Sequence, residues 1–198
     1  MSGWIEYAYA ISGTSVGRDY PRGLYEALRT LAPWLDDQPL AAVHPLRGLT
    51  PCGEALLVGG RSRLTLRVPD SCSDACEVLQ ERTLALPAPL RLGRASRRAL
   101  LAHPVLHAKL VVTGADDEGA FLAEVERALA GLALDCETIV GRRGEIAVGD
   151  QRLAGFSLML HGLSAEQSLT AQAHGIGLHR KLGCGVFVPH KSVAAVGL

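Results

Sequence analysis

Apolar and polar positions alternate from the start of the chain. Residues Trp4–Ser12 read Trp-Ile-Glu-Tyr-Ala-Tyr-Ala-Ile-Ser, a run rich in aromatic and β-branched residues with period two, which predicts a strand. The period then changes. After Asp19-Tyr20-Pro21, the residues Leu24, Ala27, Leu28 and Leu31 recur at helical spacing, so a helix is expected up to about Ala32, with Pro33 ending it. A strand over 41–47 follows, then a connection carrying Gly48, Gly53, Gly59 and Gly60. Residues Arg63–Val68 alternate again, with Leu64, Leu66 and Val68 on one face and Arg63, Thr65 and Arg67 on the other. Pro69-Asp70 opens a second predicted helix to about Gln80, and 83–92 supplies a fourth strand interrupted by Pro87 and Pro89.

The second half repeats this order. A strand is predicted over 105–113, a helix over 117–132 with acids in its first turn, where the helix dipole favours them, and a hairpin of 135–148 and 151–161 joined at Gly149-Asp150. Ser164-Ala165-Glu166-Gln167 is a capping box for a helix to about His174, and Val186–Val188 is the last strand. Each half therefore reads β-α-β-β-α-β. The fold class is α+β, two tandem ferredoxin-like (RRM-like) units over 1–95 and 96–198, with a C-terminal glycine-rich loop over 175–185. The basic stretch Arg91–Arg98 falls at the linker between them. An open ferredoxin-like sheet is the surface RRM domains use for single-stranded RNA, but neither 63–68 nor 186–190 offers paired stacking rings. Any RNA would be held by phosphate contacts and shape.

Composition narrows the classes. The 198 residues are 48% hydrophobic, enough for a packed core, and formally neutral, so overall charge does not point to nucleic acid. The distribution of charge does more. Arg91, Arg94, Arg97, Arg98 and Lys109 fall in a stretch without acids, and 116–126 carries acids without bases. No apolar run reaches membrane-spanning length, the N-terminus lacks a secretory pattern, and five cysteines without framework spacing read as reduced thiols of a cytoplasmic protein. Cys72 and Cys76 sit one helical turn apart, but no second Cys/His pair completes a zinc site. No metal and no other cofactor is expected.

The most specific signal is the segment 174–191. Gly175, Gly177, Gly183 and Gly185 allow positive φ and close backbone approach, and His179, Arg180 and Lys181 add charge where no acid follows. Exposed amides in such a loop form an anion-binding concavity, so a phosphate or phosphodiester is the natural ligand. A dinucleotide fingerprint is a poor fit: Arg180 stands where its third glycine belongs, and no strand precedes the loop. The plainer alternative is a turn leading into a buried strand.

This loop (Gly-Ile-Gly-Leu-His-Arg-Lys-Leu-Gly-Cys-Gly-Val-Phe-Val-Pro-His-Lys over 175–191) closes the second of two ferredoxin-like units. It resembles the RAMP superfamily of CRISPR-associated proteins and, within it, the sixth Cas family, the endoribonucleases that cut repeat RNA into guides. The segments Arg61–Pro69 and Val43-His44-Pro45-Leu46 are similar to that family as well. The resemblance implies a metal-independent cut of CRISPR repeat RNA. The 2′-hydroxyl attacks the adjacent phosphate, leaving a 2′,3′-cyclic phosphate and a 5′-hydroxyl, and the product is retained with other CRISPR effector subunits. Homodimerisation is left open. The chemistry needs a base, an acid and cationic stabilisation of the phosphorane. A catalytic histidine in the first unit, near or after its first helix, points to His44, with Tyr20 and Tyr25 as hydrogen-bond donors. Arg61, Arg63 and Arg67 and the loop residues Gly175, Gly177, His179, Arg180, Lys181, Gly183 and Gly185 are the expected RNA contacts. Two alternatives stand beside it: a non-catalytic RNA-binding subunit in which His44 is structural, and a small-molecule phosphate enzyme on the same scaffold.

Overall fold

Residues 3–115, 117–148 and 150–191 are described by the structure, a computed structural model. Its contacts separate into two compact units that meet in sequence between Ala99 and Leu100. The first contains β1 (Trp4–Ser12), β2 (Ser15–Gly17), α1 (Tyr20–Leu31), β3 (Ala42–Val43), β4 (Thr50–Cys52), β5 (Ala55–Leu57), β6 (Arg63–Pro69), α2 (Ser73–Glu77), β7 (Thr83–Leu84) and β8 (Leu90–Ala99). Its main sheet is antiparallel in the order β3-β6-β1-β8-β7, and β2, β5 and β4 form a small separate sheet.

Register decides which residues meet on each face. Ile5, Tyr7 and Tyr9 lie opposite Val68, Leu66 and Leu64 and belong to the core with Leu24 and Leu28 of α1 and Cys76 of α2. Glu6 lies opposite Arg67 on one side and Arg98 on the other, and Ala8 opposite Thr65 and Ser96, on the reverse face.

Proline accounts for most departures from the predicted elements. Pro87 and Pro89 cannot donate to a ladder, so the expected strand over 83–92 is split into β7 and β8, and β8 runs on to Ala99. The stretch Arg91–Arg98 is consequently a sheet strand and not a linker. Pro45 shortens the expected 41–47 strand to β3. Pairing continues only through the His44 amide donating to the Thr65 carbonyl (2.9 Å) and a bridge between Arg47 and Arg63. The helix predicted over 70–80 is a 3₁₀ turn, Asp70–Cys72, followed by the short α2.

The second unit contains β9 (Val105–Val111), α3 (Glu118–Gly131), β10 (Glu137–Val148), β11 (Gln151–His161), α4 (Ala165–His174) and β12 (Val188–Pro189). Asp117 caps α3 by accepting from the Ala120 amide at 2.8 Å, and the Ser164/Gln167 capping box of α4 is complete in both directions. Phe121, Val125 and Leu129 of α3 join Leu106, Ala108, Leu158 and Leu160 in the core. The predicted hairpin turn includes Gly149, which lies outside the described residues. Val186 and Phe187 are buried as expected, although ladder pairing starts only at Val188.

Sheet order in this unit is β10-β11-β9-β12. Counting the four main strands of each half, both sheets run second-third-first-fourth, the ferredoxin-like arrangement. No helix among the described residues is long and apolar enough to cross a membrane.

Candidate functional site

His44 leaves β3 on the face of the first sheet that carries Glu6, Arg67 and Arg98. The Glu6 carboxylate is only 3% exposed. Its Oε1 accepts from Arg67 at 2.6 and 3.1 Å, and its Oε2 accepts from Arg98 Nε at 2.7 Å. His44 Nε2 stands 3.2 Å from Oε1 but off the axis of a hydrogen bond, and it is sealed from solvent without a formed partner. The 3% of the His44 side chain that remains open therefore belongs to its other atoms.

Burial would raise the Glu6 pKa, but His44 and Arg67 outweigh it and hold the carboxyl well below the usual range. Burial pushes His44 down to about 4, partly offset by Glu6 and reinforced by Arg67 and Arg47. At neutral pH the cluster is an ionised carboxylate, a neutral imidazole and two guanidiniums. Arg67, expected on RNA, is fully buried and committed to Glu6, so its role is corrected to that of an internal counter-ion.

The two tyrosines separate. Tyr20 Oη accepts from the Leu46 amide at 2.9 Å, so it braces the His44–Leu46 segment, and burial raises its pKa. Tyr25 donates instead to Asp36, and burial together with that carboxylate pushes it up to about 12. The structure ties Tyr20, but not Tyr25, to the segment carrying His44.

Arg61 and Arg63 do come together, and they do so with Arg47, a residue the sequence reading left out of the contact set. Gly48 (φ +71°) packs so closely on the 61–62 backbone that a Cβ would lie 2.4 Å from the Arg61 carbonyl oxygen. The Ser62 hydroxyl donates to the Gly48 carbonyl at 2.7 Å, and Arg47 bridges Arg63. Arg63 spends one nitrogen on the Gly60 and Ser62 carbonyls. Among the described residues none of the three pairs with a carboxylate. The arginines of β8 differ: Arg91 pairs with Glu81, Arg97 with Asp70 and Arg98 with Glu6. On β8 Arg94 alone has no carboxylate partner among the described residues, whereas Arg47, Arg61 and Arg63 all lack one, and Arg47 is close enough to act on the charge of His44.

The glycine-rich loop is built for closure. Arg180 is 7% exposed, and its guanidinium donates to the Gly185, Gln172 and Ala173 carbonyls at 3.2, 3.4 and 3.0 Å, serving the C-terminal end of α4. A Cβ on Gly175 would lie 1.6 Å from Arg180 Nη1, one on Gly177 2.4 Å from the Val112 oxygen, and one on Gly185 2.1 Å from the Ile176 oxygen. Protein atoms fill the space beside these glycines. The expected phosphate role of Arg180 is corrected to a structural brace, and the same packing explains Gly175, Gly177 and Gly185. His179, held in the left-handed region at φ +63°, and Lys181 are half-buried, and Gly183 takes φ +89° at the end of the turn.

Glu6 is the site residue that sequence reasoning missed. A lone acid between apolar neighbours on β1 was the available signal, and only the strand register could aim it at Arg67 and His44. Cys72 and Cys76 are both buried, burial pushes the Cys76 thiol up to about 12, and no group of three or more metal-ligating side chains includes them among the described residues.

Comparisons with known proteins converge. Residues 5–192 match the family model described as Cas6 Crispr. The CRISPR-associated endonuclease Cas6 of Myxococcus xanthus (strain DK1622) is 35% identical over 195 residues, covering 98% of this chain and 84% of that protein. Among solved structures, a CRISPR-associated protein Cas6 superposes with a TM-score of 0.67 at 12% identity, covering 96% of this chain and all of that one. The CRISPR endoribonuclease Cse3 bound to a 19-nucleotide RNA gives 0.54 at 13% identity, covering 95% of this chain and 98% of that one.

Proposed function

Because this chain belongs to the Cas6 family of CRISPR proteins, we propose that it is an endoribonuclease that cuts CRISPR repeat RNA without a metal ion. The observation carrying the reading is the trio Arg47, Arg61 and Arg63, none paired with an acid among the described residues, with Arg47 on the segment that holds His44 and Arg61 and Arg63 on the segment paired with it. Cations so placed attract a phosphodiester and offset the extra charge of a phosphorane.

His44 Nδ1 takes the proton of the 2′-hydroxyl, the 2′-oxygen attacks phosphorus, and the P–O5′ bond breaks. The departing 5′-oxygen takes a proton from solvent, leaving a 2′,3′-cyclic phosphate and a 5′-hydroxyl. A base must start unprotonated, as burial keeps His44 at neutral pH. The ribose must also reach a nearly sealed ring, so binding has to part the 44–46 segment that Tyr20 braces.

The burial of His44 is at the same time the one observation that favours a second reading, a non-catalytic RNA-binding subunit. One assay separates the two. Repeat RNA is incubated with the protein in EDTA, and product ends are identified. Cleavage to a cyclic phosphate, lost in His44→Ala while RNA binding persists, is the expected result. Binding without cleavage selects the second reading, and loss of cutting in EDTA or a 3′-hydroxyl product overturns the mechanism.

A further inference from the structure

We propose that Glu6 is the positioning residue for His44, orienting its imidazole and stabilising the imidazolium that forms as the 2′-hydroxyl gives up its proton. The inference rests on the reading of His44 as general base and deepens it.

The geometry is that of a carboxylate fixed before the reaction begins. Glu6 sits on the central strand β1, and its two oxygens are divided between Arg67 on β6 and Arg98 on β8. It cannot rotate away without breaking charge-assisted bonds on both sides. Oε1 lies 3.2 Å from Nε2, close enough for a small ring rotation to complete a hydrogen bond. A proton on Nε2 facing Glu6 leaves Nδ1 with its lone pair, the tautomer a base requires. When Nδ1 gains a proton, the new positive charge stands beside a negative one in a site closed to water, where such an interaction is strong.

The charged neighbours of His44 are Glu6 from β1, Arg67 from β6 and Arg47 from the segment after β3. Both arginines oppose protonation of His44. Glu6 is the group that favours it, and without that carboxylate the ring would be a poorer base.

The test is single-turnover cleavage of repeat RNA between about pH 3 and 8 by the whole chain. For Glu6→Gln the plateau rate should fall about tenfold or more, with RNA affinity little changed, and the acid limb should move to lower pH because the imidazolium has lost its counter-charge. Since Glu6→Gln leaves Arg67 buried beside a neutral amide, Glu6→Asp is measured alongside. It keeps the charge, withdraws it by one methylene, and should give an intermediate rate with a smaller shift of the limb. Wild-type rates per folded molecule and an unmoved limb in both Glu6→Gln and Glu6→Asp, while His44→Ala is inactive, overturn the role of Glu6 alone. An active His44→Ala overturns the underlying reading instead.

Discussion

Arg67 heads the fully buried side chains by size, and a guanidinium removed from water is tolerated only with a counter-charge at close range. Glu6 supplies it, and His44 is enclosed in the same cluster. Protons are therefore bound unequally by the folded and unfolded chains. The folded pKa of His44 is lowered from 6.5 to about 4. Between those values the unfolded chain binds more protons, so stability rises with pH across that interval. The contribution is complete above about pH 6.5 and is lost as pH falls toward 4. Glu6, whose pKa is also lowered, adds a further loss at still lower pH. Urea unfolding at pH 7, 6, 5 and 4.5 should show a falling free energy. His44→Gln, which cannot titrate, should flatten the dependence above pH 4.5. An equal slope in both proteins would show that His44 is not held neutral by the fold.

At the level of elements, the segment 175–185 shows how a sequence signal can be right in geometry and wrong in purpose. The positive φ values of Gly175, Gly177, Gly183 and Gly185 were legible from glycine spacing, as was the capping box that starts α4. What the spacing does not contain is the direction of the Arg180 side chain, which turns inward to the carbonyls ending α4. A guanidinium on three carbonyls and one on phosphate look alike as residue types in order. Removing it orphans buried acceptors, at roughly 1–3 kcal/mol for each group left unsatisfied. Arg180→Ala should therefore lower stability by about 2–4 kcal/mol and leave the salt dependence of RNA binding unchanged in the fraction that remains folded. Chemical denaturation and fluorescence anisotropy across a salt series check the two halves of that statement. A stable variant with a shallower salt slope would return Arg180 to the RNA.

Over the whole molecule, the doubled β-α-β-β-α-β order was readable from hydrophobic period alone because each main sheet keeps one apolar face and each long helix one apolar stripe. The faces opposite the helices were not readable. Arg63 and Arg67 share one face of β6 by alternation, yet Arg67 is sealed against Glu6 while Arg63 sits with Arg47 at the strand's other end. Tertiary pairing between strands far apart in sequence makes that distinction. The formal net charge of zero gives the molecule little long-range attraction for RNA, so its affinity must come from local groups of cations that no acid meets. Each phosphate neutralised by such a group releases counterions and contributes roughly 0.7–0.9 to the slope of log K against log salt. An Arg47→Ala/Arg61→Ala double variant should accordingly bind repeat RNA more weakly and lower the magnitude of that slope by about 1.4–1.8. Both side chains are exposed and ion-paired with no described carboxylate, so folding stability should change little. The same substitutions at Arg91 and Arg97, whose charges are already met by Glu81 and Asp70, should reduce the slope by less. A larger reduction from the Arg91/Arg97 pair, with little from Arg47/Arg61, would place the RNA along β8 and not beside His44.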